Sequence, residues 1–121
     1  MQNKEIRTQL RAVGADQSKI TDASHLIVIA HRTDTENISK ERIERTAKIQ
    51  NRDINDLSGL KNSLDTNVDK KIQNGTMESW LKAQTYIPLG MMIETASLLH
   101  IDNGPMEGFQ AEKVDEILNL K

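Results

Sequence analysis

The sequence predicts an α+β fold that is mostly helix, and three observations carry that expectation. Leu26-Ile27-Val28-Ile29-Ala30 is a continuous run of mostly branched apolar residues between polar neighbours. That is the pattern of one strong central strand, buried on both faces. Elsewhere, apolar residues recur at three- and four-residue steps, the period of amphipathic helices. The segment Met77 to Leu99 is apolar around most of its circumference, which predicts a long helix buried on nearly all sides.

Each element follows from its own residues. Residues 3–13 form an amphipathic helix on which Asn3 can cap the start and Ile6, Leu10 and Val13 share a face. Gly14 can supply a left-handed stop. A polar loop runs from Ala15 to Thr21 and leads into the apolar run. A lone strand cannot satisfy its own backbone groups, so its neighbours are expected outside this chain or in another copy of it. From Ser39 to Ile72 a narrow stripe (Ile43, Ala47, Ile54, Leu57, Leu64, Val68, Ile72) predicts one or two surface helices, broken near Ser58-Gly59. Asn74-Gly75 marks a turn; Thr76 is placed to cap the next helix, with Glu78 in its first turn. Pro88 removes a donor and should kink the apolar helix. Gln110 to Leu120 reads as a final helix with Val114, Ile117 and Leu118 inward.

Composition bounds the function. The chain has 121 residues, room for one domain, and is 36% hydrophobic with a single Trp, Tyr and Phe. So little apolar surface compensates chain entropy poorly, and a partner chain or cofactor would ease the shortage. A net charge of −2 gives no electrostatic reason to expect nucleic acid or an anionic membrane. With no cysteine there is no disulfide or thiolate chemistry, in keeping with the cytoplasm. No apolar stretch is long enough for a membrane span, and the N-terminus lacks a signal-peptide pattern. His25, His31 and His100 are scattered without partners at ligand spacing, so no metal site is expected. The charged run Ser39 to Arg45 is a solvated helix face with i,i+3 and i,i+4 ion pairs.

Two segments remain as candidates for chemistry. Gly104-Pro105-Met106-Glu107-Gly108-Phe109 follows the apolar segment directly. A turn held by Pro and opened by Gly can bring N–H groups within hydrogen-bonding range of a planar ring, although a plain connector between two helices has the same composition. The second is the loop Asp16 to Thr21 with Asp22-Ala23-Ser24-His25 before the apolar run, in which Lys19 is either a functional cation or a solvated loop lysine.

Taken together, the Pro105-Met106-Glu107-Gly108 turn, the Ala23-Ser24-His25 junction and the apolar segment resemble the core of the nitroreductase family, FMN-dependent NAD(P)H oxidoreductases. The similarity runs from about Asn3 to Leu120 and is strongest over residues 22–30 and 80–109. It implies a nitroreductase-like fold and a flavin lined by Lys19, Pro105, Met106, Glu107 and Gly108. Pro105 would lie on the ring face, Glu107 and Gly108 on the N5/O4 side, and Lys19 on the N1/O2 side. Glu107 would be the catalytic carboxylate, orienting substrate or water. Where the family has an amide residue, this chain has Asp16, or Gln17 if the loop shifts by one. The resemblance further implies an intertwined homodimer through the 77–99 helix, with hydride passing from NAD(P)H through FMN to nitro-aromatic or quinone acceptors. The family's phosphate-binding segments have no counterpart in residues 1–121, so one partial domain, weak or inactive alone, is expected. The alternative is a non-catalytic helical interaction fragment.

Overall fold

The computed structural model describes residues 1–120. Seven α-helices and one 3₁₀ turn account for all regular structure among them. In order these are α1 (Lys4–Val13), α2 (Lys19–Asp22), α3 (Ile38–Gln50), the 3₁₀ turn (Ile54–Leu57), α4 (Ser58–Gln73), α5 (Met77–Gln84), α6 (Tyr86–Leu98) and α7 (Ala111–Leu118). They form two compact units: residues 1–29 with 89–121, and residues 30–88.

The first unit is built on α1, α2 and α7. The Asn3 side chain accepts hydrogen bonds from the Glu5 and Ile6 amides, capping α1 as its sequence predicts. The apolar stripe of α1 then meets α2 and α7: Leu10, Ile20 and Val114 are buried together. Ile6, Val13, Leu26, Met106, Ile117 and Leu118 pack around them. Gly14 ends α1 at φ −106°, and the left-handed residues are instead Ala15 and Asp16 (φ 54° and 51°). The Ala15–Thr21 stretch, expected as loop, closes into α2.

The second unit is local in sequence. Ile43 and Ala47 of α3 bury against Leu57 of the 3₁₀ turn, and Leu64 of α4 completes the cluster. Asp53 caps the 3₁₀ turn by accepting from the Asn55 amide, which places the break between α3 and α4 close to the expected Ser58-Gly59. Thr76 precedes α5, but its hydroxyl donates to the Lys71 carbonyl rather than capping the helix. Glu41 pairs with Arg32 of the preceding loop; the i,i+4 pairs lie at Lys61–Asp65 and Glu78–Lys82.

Two parts of the expected α+β fold are corrected. No strand occurs among the described residues, so the fold is all-helical. Leu26–Ala30 has no regular structure, and Ile27 and Val28 are exposed. The reason is pairing. A strand exists through ladder bonds, and within the described chain this run meets only Met1, at Leu26: the Leu26 amide donates to the Met1 carbonyl and the α-amino group to the Leu26 carbonyl. The long buried helix is likewise replaced by two helices. The break falls at Thr85 rather than at Pro88, because Pro88 sits in the first turn of α6, where a missing N–H costs no intrahelical bond. None of α6 is buried; Ile87, Met91, Leu98 and Leu99 lie exposed on α6 and just beyond it.

Candidate functional site

The candidate residues assemble in the first unit. Lys19 opens α2, whose turn is closed by the Ala23 amide donating to the Lys19 carbonyl at 3.2 Å. Its side chain reaches the Pro/Gly turn: a β-carbon added to Gly104 would stand 3.3 Å from Lys19 Cδ and 3.4 Å from Nζ. Two stretches some eighty-five positions apart in sequence (19 and 104) are thus neighbours in space.

The turn itself is tied down at both ends of its active stretch. Met106 points inward to the cluster of Leu10, Ile20 and Val114, and its Cε would lie 3.7 Å from a β-carbon on Gly14. The Phe109 amide donates to the Glu107 carbonyl at 2.9 Å, and the Gln110 amide donates to the Val13 carbonyl at 3.0 Å, fastening the end of the turn to α1. Between these anchors Pro105, Glu107 and Gly108 face solvent, and nothing lies within 4 Å of where a Gly108 side chain would begin. The amides of Met106 and Gly108 donate to no group among the described residues. Lys19 thus stands beside the start of the turn at Gly104; Pro105, Glu107 and Gly108 are exposed, and Met106 is committed to packing.

Asp16, at the position where the resemblance calls for an amide, is held by Arg11: Nε donates to Oδ1 at 2.7 Å. That cation offsets the repulsion an Asp would exert on a reduced, anionic ring. Gln17 is half-buried, and its carbonyl accepts the Ile20 amide.

The residue that sequence reasoning missed is Arg7. It is 5% exposed, and its guanidinium donates to the carbonyls of Ile20 (2.6 Å), Ser24 (3.3 Å) and Ala23. The available signal was a charged residue beside Ile6 and Leu10 on the buried face of an amphipathic helix.

Charge tuning falls elsewhere. Bonds from Arg32 to Asp34 and Glu41 hold both carboxyls below their ordinary range and push the guanidinium upward. Lys61, then Ser39, lowers Asp65, and Lys82 lowers Glu78. Neither of two surface clefts is lined by the turn. One, about 330 Å³, is lined by Met91, Met92, Thr95, Ala96, Leu99 and Ile101. The other, about 310 Å³, is lined by His31, Arg32, Thr33, Thr35, Met77, Glu78 and Leu81. Among the described residues no three His, Cys, Asp or Glu side chains converge as a metal site would need, and no helix is long and apolar enough to cross a membrane.

The chain is similar over its length to several staphylococcal proteins, each named "Putative NAD(P)H nitroreductase". It is 31% identical to one from Staphylococcus saprophyticus over 122 residues, covering 98% of this chain and 56% of that protein. It is 30% identical to one from Staphylococcus epidermidis over 123 residues, with coverage of 98% and 56%. One from Staphylococcus aureus is 31% identical over 125 residues, with coverage of 100% and 56%. The chain thus spans just over half the length of the curated relatives it matches. No protein-family model and no solved structure matches it.

Proposed function

We propose, for a chain that belongs to the nitroreductase family, that residues 1–121 are one partial domain carrying the ring side of an FMN site. The one observation that carries this reading is the contact of Lys19 with Gly104, which joins the lysine loop and the Pro/Gly turn within a single compact unit. Bound FMN would supply the hydride relay between NAD(P)H and a nitro-aromatic or quinone acceptor.

The chain's own groups have the following parts. The Lys19 ammonium stabilises negative charge on the N1/O2 side of the ring. The amides of Gly108 and its neighbours in the turn offer donors to the N5/O4 side, and Pro105 presents an apolar surface to the ring face. The Glu107 carboxylate orients acceptor or water at the exposed edge. With no phosphate anchor in these segments, affinity rests on ring contacts and is weak. A homodimer through α5 and α6 belongs to the same reading, supported by the exposed apolar side chains of α6, which need more surface than their own unit supplies. The cytoplasm is the proposed compartment.

FMN titration of the purified chain, followed by flavin fluorescence, tests this. Saturable binding weaker than micromolar is expected, diminished at least fivefold by Lys19→Ala. No saturable binding, or binding indifferent to Lys19→Ala, contradicts the ring-side assignment, and a nanomolar Kd contradicts the absence of phosphate anchors. For the homodimer, sedimentation should show concentration-dependent association that Met91→Glu abolishes; a strict monomer at every concentration would rule it out.

A further inference from the structure

We propose that Arg7 is the positioning residue of this site, holding Lys19 against Gly104 by capping the far end of α2. The role rests on the flavin-site reading only for its use; the geometry stands without it. A four-residue helix is too short to persist alone, because nucleation fixes several residues for one or two bonds. Its last carbonyls have no intrahelical partner. From a buried guanidinium Arg7 supplies one such partner, to the Ile20 carbonyl, and donates to Ala23 and Ser24 just past the helix end, tying the exit of α2 to α1.

No carboxylate among the described residues pairs with Arg7. A buried cation without a counter-ion is costly unless dipoles take its place, and here three carbonyls do so, one in α2 and two just past its end. The planar fork of Arg suits carbonyls spread over several residues, which the single point charge of Lys does not match. The link to Lys19 is direct. The Ala23 amide donates to the Lys19 carbonyl while the Ala23 carbonyl accepts from Arg7, so one residue, Ala23, stands between guanidinium and lysine backbone. Lys19 is exposed and starts the helix, so its direction follows from how the short turn is held: by Ile20 in the core and by Arg7 at Ile20–Ser24.

The test uses the full chain without flavin, by NMR, in wild type, Arg7→Met, Arg7→Lys and Val114→Ala. Val114→Ala is the control: it loosens the core on which Ile20 and Met106 pack while removing none of the hydrogen bonds that Arg7 donates. The readouts are the cross-peak between the Lys19 δ/ε protons and the Gly104 α protons, and amide exchange over residues 20–24. We expect Arg7→Met to lose the cross-peak and accelerate exchange there at least tenfold. Arg7→Lys should recover part of both, and Val114→Ala should keep the cross-peak. If Arg7→Met leaves no folded chain, Arg7→Lys carries the comparison alone: a weakened cross-peak supports the role. A cross-peak kept in the Arg7 variants, or lost equally in Val114→Ala, overturns it. An FMN titration of wild type that fails while these readouts hold would remove the flavin reading and leave the positioning role in place.

Discussion

In the unit of residues 1–29 and 89–121, the buried side chains Leu10, Ile20 and Val114 come from opposite ends of the chain. In residues 30–88, Ile43, Ala47 and Leu57 come from one short stretch. The polar reinforcement differs as well. The first unit buries a guanidinium among backbone carbonyls, which acid does not titrate. The second is laced at its surface: Arg32 bridges Asp34 and Glu41, and Lys61 and Lys82 pair with Asp65 and Glu78. The candidate site lies in the unit whose assembly is non-local and which buries a guanidinium, although that unit too carries surface pairs at Arg11–Asp16 and Lys113–Glu116. A site that must hold a lysine against a turn gains from that buried part of its frame, which acid and salt do not loosen.

This contrast can be broken most sharply in the cores. Leu10→Ala removes a side chain shared by α1, α2 and α7, and we expect it to cost about 3 kcal/mol. Amide exchange should show that loss in residues 1–29 and 89–120 and leave residues 38–73 protected; equal loss in both would mean that the units are not separately stabilised. Gly14→Ala comes next. Its new methyl would strike Ile20 Cδ1 and stand 3.0 Å from the Leu10 carbonyl oxygen, so overpacking should cost about 2 kcal/mol. Urea unfolding measures it, and an unchanged midpoint would show that the Ile20 side chain can give way. Smaller again, Gly75→Ala in the second unit places a side chain at φ +65° in open space. Backbone strain alone should cost about 1 kcal/mol, visible in exchange of the α4 and α5 amides.

The smallest effect is acid. Asp34, Glu41, Asp65 and Glu78 have folded values lowered by their cationic partners, so their contribution is complete above the unfolded carboxylate values, about pH 4. It is lost as pH falls through the lowered folded values. Exchange measured from pH 5 downward should therefore rise first in residues 30–88. Because these pairs are exposed, the loss should be modest and should shrink at high salt. A first loss in residues 1–29 would reverse the assignment of acid sensitivity.

How much was legible in the sequence follows the same division. Many local determinants were readable: the Asn3 cap, the Ile43–Ala47 stripe, the break before Ser58 and the inward face of α7 follow from spacing of a few residues, whereas the left-handed stop fell at Ala15 and Asp16 rather than Gly14, and Thr76 did not cap α5. Where the determinant is a distant partner, they were not. Leu26–Ala30 has the composition of a strand, but composition supplies no neighbour to bond with, and the run stays irregular. Met77–Leu99 has the apolar content of a core helix, yet no residue of α6 is fully buried and only Leu89, Ile93 and Ala96 are half-buried, because burial depends on what packs against a helix rather than on the helix alone. The site divides in the same way. Lys19 and the Gly104–Gly108 turn stood out by residue type and resemblance, whereas their contact, the inward turn of Met106 and the Arg7 cap are tertiary. The pairing of Asp16, which stands where the family has an amide residue, with Arg11 is likewise tertiary.

The central claim is that Lys19 and the turn from Gly104 to Gly108 form one ring-binding surface. Its most direct test is a titration of the isotopically labelled chain with FMN, following backbone and lysine side-chain resonances by NMR. We expect the saturable shifts to gather at Lys19, Gly104, Glu107 and Gly108, with Ile43, Ala47 and Leu57 unmoved. Shifts concentrated instead along the cleft of Met91, Met92 and Ile101, or none at all at saturating flavin, would contradict it.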